Sequence, residues 1–274
     1  GIFTTIFSRD KSHKGEKMKN ILLTNDDGFD SKGLSALKEA LSPLGRVLVV
    51  APANEKSACG HGLCITKPLF FHAVGEDFYK LDDGSPTDCV YLALNAMYSN
   101  GMRPDLVVSG INLGCNMGED VTYSGTVAGA MEGAIAGIPS IAISQLVNKE
   151  GDAKDCDFSL AKKVAYEVAR KLLDSNPLGN RKFLNVNVPL SKEFKGYKVT
   201  ELGYRLYGND AKKGRSPRGQ EYYWLGTHPL KFEPRSKKMS DFEALKQGFV
   251  SITPLSVDMT SYEDLENLTR WTSE

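Results

Sequence analysis

At 274 residues, 25% charged and 41% hydrophobic, the chain is long enough for one large α/β domain, or one domain plus an appendage. Lys+Arg and Asp+Glu balance at 34 each, so no global field draws the chain to a nucleic-acid polymer or an acidic membrane, although local donors suffice for a small anionic substrate. No apolar run approaches the roughly 20 residues needed to span a bilayer.

Gly1 to Lys17 lacks a signal-peptide apolar region and is expected to be an unstructured extension ahead of the fold. Lys19 to Thr24 reads as a strand. Ser31 then caps a helix with Leu34, Leu37 and Leu41 on one face, stopped near Pro43 and Gly45. Arg46 to Ala51 is an almost wholly apolar second strand closed by Pro52. Strand, helix and apolar strand in about 30 residues make a βαβ unit, hence a parallel sheet buried on both faces. Extended pieces follow at Leu63 to Val74 and Phe78 to Leu81, then a helix from Pro86 or Thr87 to Tyr98 and a buried strand at Asp105 to Ser109. Gly125 to Gly137 is a helix of small residues, including Ala128, Ala130, Ala134 and Ala136, suited to close packing on a sheet. A strand at Pro139 to Ser144, a helix at Phe158 to Leu173 and a last parallel strand at Phe183 to Val188 complete a repeating β-then-α pattern. That pattern predicts a doubly wound, mainly parallel sheet.

The last third changes character. Lys198 to Gly226 mixes aromatics with the basic run Lys212-Lys213-Gly214-Arg215-Ser216-Pro217-Arg218-Gly219, which fits a hairpin arm reaching to another subunit. A nucleic-acid patch is the rival, disfavoured by overall neutrality and the shortness of the run. Phe249 to Thr253 reads as a late strand and Tyr262 to Trp271 as a terminal helix. The five cysteines, Cys59, Cys64, Cys89, Cys115 and Cys156, form no Cys-x-x-Cys pair, and the four histidines lack zinc-type spacing. Reduced thiols in a cytoplasmic protein are expected.

Four segments carry candidate chemistry. After the first strand come Asn25, Asp26, Asp27 and Gly28. Adjacent carboxylates repel, and a hard dication such as magnesium, calcium or manganese relieves the repulsion; an Asx-type turn is the competing explanation. Strand carboxyl ends are where open α/β sheets bind ligands. The second segment, Ala51 to Ala58, offers the Ser57 hydroxyl, which by itself also suits a helix N-cap. The third, Ser109 to Asp120, interleaves Gly110, Gly114 and Gly118 with Asn112 and Asn116, so backbone can approach a ligand among uncharged amides. The fourth, Tyr123-Ser124-Gly125-Thr126-Val127, opens the small-residue helix, where backbone N–H groups and hydroxyls suit a phosphate or an ordinary cap. Converging on one sheet edge, they imply metal-assisted phosphate-ester hydrolysis. The acidic run Asp82 to Asp88 reads as a turn and helix start, and His61, between Gly60 and Gly62, as an incidental loop histidine within reach of a ligand.

At Thr24 to Gly28, Val50 to Pro52 with Ser57, Gly84 to Cys89, Val108 to Asn112, Gly114, Asn116, Gly118, Tyr123 to Val127 with Glu132-Gly133, and Ser251 to Pro254, the chain resembles the SurE (survival protein E) family of metal-dependent nucleotidases. The Ser109-to-Gly133 block is the specific part. The resemblance implies a Rossmann-like catalytic core over 18–195, and 196–274 as arm, late strand and tail for dimers or tetramers. It implies Asp26, Asp27, Ser57 and Asn112 as ligands of one divalent cation per subunit, Mg2+ or Mn2+ above all. Asn116, Ser124, Gly125 and Thr126 fall beside the family's phosphate pocket. The implied substrates are nucleoside monophosphates, with 3′-nucleotides and short polyphosphate besides. Ser85 departs from the threonine common at its position but keeps the hydroxyl.

On this basis Asp26, Asp27 and Asn112 are the catalytic candidates, with Asp26 taking the proton of a metal-activated water. Direct aspartate attack is disfavoured because the Asp-x-Asp spacing of such phosphatases is absent. A non-catalytic nucleotide sensor would need the same donors. A nicotinamide site would want Gly-x-Gly-x-x-Gly after the first strand, not Asn-Asp-Asp-Gly.

Overall fold

The computed structural model describes residues 18–98, 101–147, 156–191 and 194–273; the expected extension at 1–17 lies outside them. A nine-stranded sheet forms the framework, ordered β3-β4-β2-β1-β5-β6-β7-β11-β8. Its strands are β1 (Asn20–Thr24), β2 (Arg46–Pro52), β3 (Phe71–Gly75), β4 (Phe78–Leu81), β5 (Leu106–Leu113), β6 (Ser140–Gln145), β7 (Lys182–Val188), β8 (Tyr197–Val199) and β11 (Val250–Ser256). The run β4-β2-β1-β5-β6-β7 is parallel, while β3 on β4 and β11 on β7 are antiparallel. The expected α/β architecture is therefore present, and the late strand joins the main sheet.

Two-residue alternation distributes the central strands between two cores. Ile21, Leu23, Val47 and Val49 pack with α1 (Lys32–Leu41) and α4 (Ser159–Asp174), whereas Leu22, Leu48 and Val50 pack with α2 (Pro86–Leu92) on the other face. Ser31 caps α1 by accepting from Leu34 N–H at 3.2 Å, as its position predicted. The helix expected over 86–98 is shorter: after Leu92 a π-type turn, Ala93–Met97, adds a residue, and Leu94, Met97 and Tyr98 all turn inward.

The helix α3 (Gly125–Ile135) shares the α2 face and lies very close to the sheet. A Cβ on Gly129 would stand 2.9 Å from both Ser109 Oγ and Thr24 Cγ2. Gly129→Ala should therefore destabilise the fold by about 1–3 kcal/mol through overpacking, read as a lower denaturant midpoint; an unchanged midpoint would mean that α3 has room to move out. β5 also differs from expectation, running on through Asn112 to Leu113. Gly110, at φ +142°, absorbs an irregularity after Ser109, and pairing resumes with Asn112 opposite Ser144 and Leu113 opposite Gln145. Asn112 thus stands on a strand end, not in a free loop.

Beyond the sheet, β9 (Tyr204–Arg215) and β10 (Glu221–Glu233) form the separate two-stranded hairpin expected around the basic run. The chain closes with α5 (Asp241–Lys246), β11 and α6 (Leu265–Trp271). All five cysteines are free thiols, and among the described residues no helix is long and apolar enough to cross a membrane.

Candidate active site

Chain order reverses between β1 and β5: β2 lies on one side of β1, and β5 opens the series on the other. A crevice forms at such a switch point, outside the strand carboxyl ends. Asp26 and Asp27 follow β1 there, and Asn112 stands at the carboxyl end of β5.

Asn25 shapes the first turn by donating Nδ2–H to Gly28 O and to Ser31 Oγ, both at 2.8 Å. Gly28 sits at φ +101°, a conformation glycine takes without strain. Asp26 is buried, and its carboxylate meets α3: Thr126 Oγ1–H donates to Oδ1 at 2.6 Å and Thr126 N–H to Oδ2 at 3.2 Å. Asp27 is half-buried and accepts only a long contact, 3.5 Å from Leu113 N–H. The second segment is drawn in by Lys56 N–H, which donates to Asp26 O at 2.7 Å. Ser57 is exposed beside it and donates its hydroxyl to Glu55 Oε1 at 2.5 Å. Asn112 donates Nδ2–H to Gly114 O at 2.6 Å, which leaves the amide oxygen as its open acceptor.

The electrostatics of this cluster are uncompensated. Burial, then the neighbouring Asp26 charge, pushes Asp27 up to about 6. Burial also raises Asp26, despite the lowering bonds from Thr126. Glu55 adds a third negative charge felt by both. No lysine or arginine among the described residues pairs with either aspartate. A cation fits such a cluster. Among the described residues no three His, Cys, Asp or Glu side chains gather as a ready metal cage, so neutral oxygens must complete the set, which suits a hard dication.

The phosphate-side residues are placed as follows. Ser124 Oγ accepts from Val127 N–H at 3.1 Å, capping α3, and both Thr126 donors face Asp26. A Cβ on Gly125 would lie 2.9 Å from Asp26 Cβ, so glycine is what permits this approach. Asn116 lies between β6 and β7. Its Nδ2–H donates to Ser144 Oγ at 2.9 Å and its N–H to Asn187 Oδ1 at 3.0 Å, while its carbonyl accepts from Asn185 at 2.9 Å and Asn187 at 3.0 Å. Asp241, fully buried, accepts from Gly118 N–H at 2.8 Å and Gly203 N–H at 3.0 Å. Sequence reasoning passed over Glu55, Asn185, Asn187 and Asp241. The signal for the asparagines was present, polar residues alternating inside the buried run Phe183 to Val188. His61 Nε2 lies 2.7 Å from Glu132 Oε2.

Fold and crevice together define a doubly wound α/β protein with a paired-carboxylate centre at its switch point. The family model for survival protein SurE matches residues 21–209. The chain is 60% identical to the 5′-nucleotidase SurE of Helicobacter hepaticus over 261 residues, covering 93% of this chain and 99% of that one. It is 61% identical to the 5′-nucleotidase SurE of Wolinella succinogenes over 258 residues, again 93% and 99%. The crystal structure of the SurE protein from Aquifex aeolicus superposes with a TM-score of 0.77 at 41% identity, covering 92% and 99%. The chain belongs to the SurE family.

Proposed function

We propose that the chain is a metal-dependent phosphomonoester hydrolase releasing phosphate from nucleoside monophosphates, a 5′-nucleotidase first, with 3′-nucleotides and short polyphosphate as further substrates. The observation that carries this is the adjacent carboxylates Asp26 and Asp27, paired with no lysine or arginine among the described residues, with Asp26 seated on the first turn of the anion-attracting helix α3. The name 5′-nucleotidase on relatives at 60% and 61% identity supports the substrate class.

Asp26, Asp27, Ser57 and Asn112 are the residues that would hold one divalent cation, Mg2+ or Mn2+. Bound there, it would supply charge neutralisation at the phosphoryl group and a water of lowered pKa. Thr126 fixes both oxygens of Asp26, which orients that carboxylate but encumbers it as a base. The proton of the attacking water is assigned to Asp27, because Thr126 holds both oxygens of Asp26 whereas Asp27 accepts one long contact. This moves the role away from Asp26. The phosphoryl oxygens are assigned to Ser124 and Gly125 at the first turn of α3 and to Asn116, held rigid by Asn185 and Asn187, while Thr126, whose N–H and Oγ1–H both go to Asp26, borders that pocket by holding the carboxylate. Release of phosphate from AMP, but not from AMP with EDTA, tests the reading; metal-independent release, or none with any metal, rejects it. A nucleotide sensor would bind AMP and release nothing.

The protein is proposed to act in the cytoplasm as a dimer or tetramer. Tyr223, Trp224 and Leu225 on the hairpin are 61%, 69% and 85% exposed, and apolar surface of that kind is covered in a working assembly. Deleting Lys212 to Gly219 should lower the native mass in light scattering; an unchanged mass would count against an arm-mediated contact.

A further inference from the structure

Glu132 is a buried acid in a helix otherwise built of small and apolar residues and one threonine, at 8% exposure. Its partner is His61, through the 2.7 Å contact. No lysine or arginine of the described residues pairs with it. Glu132 and Gly125 are seven residues apart on α3, which places them within about 20° of one face and about 10 Å apart along the axis. A Cβ on Gly125 would stand 3.0 Å from Cys59 Sγ. The segment Lys56 to Cys64 is therefore a strap laid along α3, with Cys59 at its first turn and His61 two turns on.

The leading end of the strap is tied by Lys56 N–H on Asp26 O at 2.7 Å, and its middle by Gly60 N–H on Tyr123 O at 3.1 Å. The trailing end is tied by Ser85 Oγ–H on Gly62 O at 3.1 Å and Cys64 N–H on Asp88 Oδ1 at 2.8 Å. Ser57 to Cys59 are exposed, and a Cβ on Gly62 would meet nothing within 4 Å. The strap thus has little packing of its own, and a side-chain anchor matters.

We propose that the His61–Glu132 contact is a positioning latch: it holds the strap along α3, keeps Ser57 at its post, and so sets the centre's affinity for its dication. This rests on Ser57 being a ligand. Mn2+ binding to the full chain, followed by loss of the free-ion EPR signal, reads the latch without turnover. His61→Ala should weaken binding about tenfold, as loss of supporting contacts does at other metal centres. Its kcat at saturating Mn2+ should stay within about twofold of the parent, while its melting temperature in EDTA should fall, because Glu132 stays buried without its partner. His61→Gln, whose amide N–H can still donate to Glu132, should recover most of the affinity. Ser57→Ala should also bind weakly, and adding His61→Ala to it should cost little more, because nothing remains to be positioned. Unchanged affinity in His61→Ala beside weakened affinity in Ser57→Ala overturns the latch and leaves the ligand assignment standing. Unchanged affinity in Ser57→Ala removes that assignment and the latch with it. A kcat that collapses in His61→Ala at saturating Mn2+ overturns the latch from the other side, because His61 would then act in the chemistry.

Discussion

Asp27→Ala should reduce phosphate release from AMP by at least about a thousandfold, since the lost charge stabilisation is several kcal/mol and each 1.36 kcal/mol is a factor of ten. The fold should survive the change. Asp27 accepts one long contact, and the Asp26 charge bears on it, with no lysine or arginine among the described residues paired with either. Removing that charge as Asp27→Asn should raise the melting temperature of the metal-free chain at neutral pH, because one buried repulsion disappears. Loss of activity with gain of stability marks a group kept for chemistry. Were the Asn25-to-Gly28 run only a turn, the two effects would reverse. Circular dichroism melts and a phosphate assay on the same preparations separate the cases.

Chelation should have an effect of the same size. EDTA is expected to bring turnover of AMP to background, and Mg2+ or Mn2+ to restore it. The metal should also stabilise the chain, by about 2.7 kcal/mol at a hundredfold excess over Kd, or roughly 5–8 °C for a protein of this size. The increment should vanish in Asp27→Asn. A melting temperature indifferent to every dication would count against the cluster as a metal centre, whatever the assay showed.

Much of the framework was legible in local pattern. The βαβ start followed from Leu34, Leu37 and Leu41 at helical spacing between two apolar runs, because α1 packs one face on a sheet buried on both sides. The carboxylate pair was legible because two like charges in sequence need an explanation. Ser57 and Asn112 were not separable by spacing from a cap and a loop amide; the family resemblance singled them out. The extension of β5 past Gly110 depended on a partner strand some 30 residues on, which no local window contains. The seat of Asp26 on Thr126 spans 100 residues of chain and arises only from packing at the switch point. Glu55 was missed for a similar reason, since its charge matters only once Lys56 is bonded to Asp26 O. In β7 the polar alternation of Asn185 and Asn187 was visible, but the residue they serve, Asn116, lies about 70 positions earlier.

The most direct test is crystallographic. Crystals grown with Mn2+ and measured at its absorption edge should show one anomalous peak per subunit, with oxygens of Asp26, Asp27, Ser57 and Asn112 within roughly 2.0–2.6 Å. No peak at the carboxyl ends of β1 and β5, or one held by other side chains with Asp26 and Asp27 turned away, would contradict the account at its root.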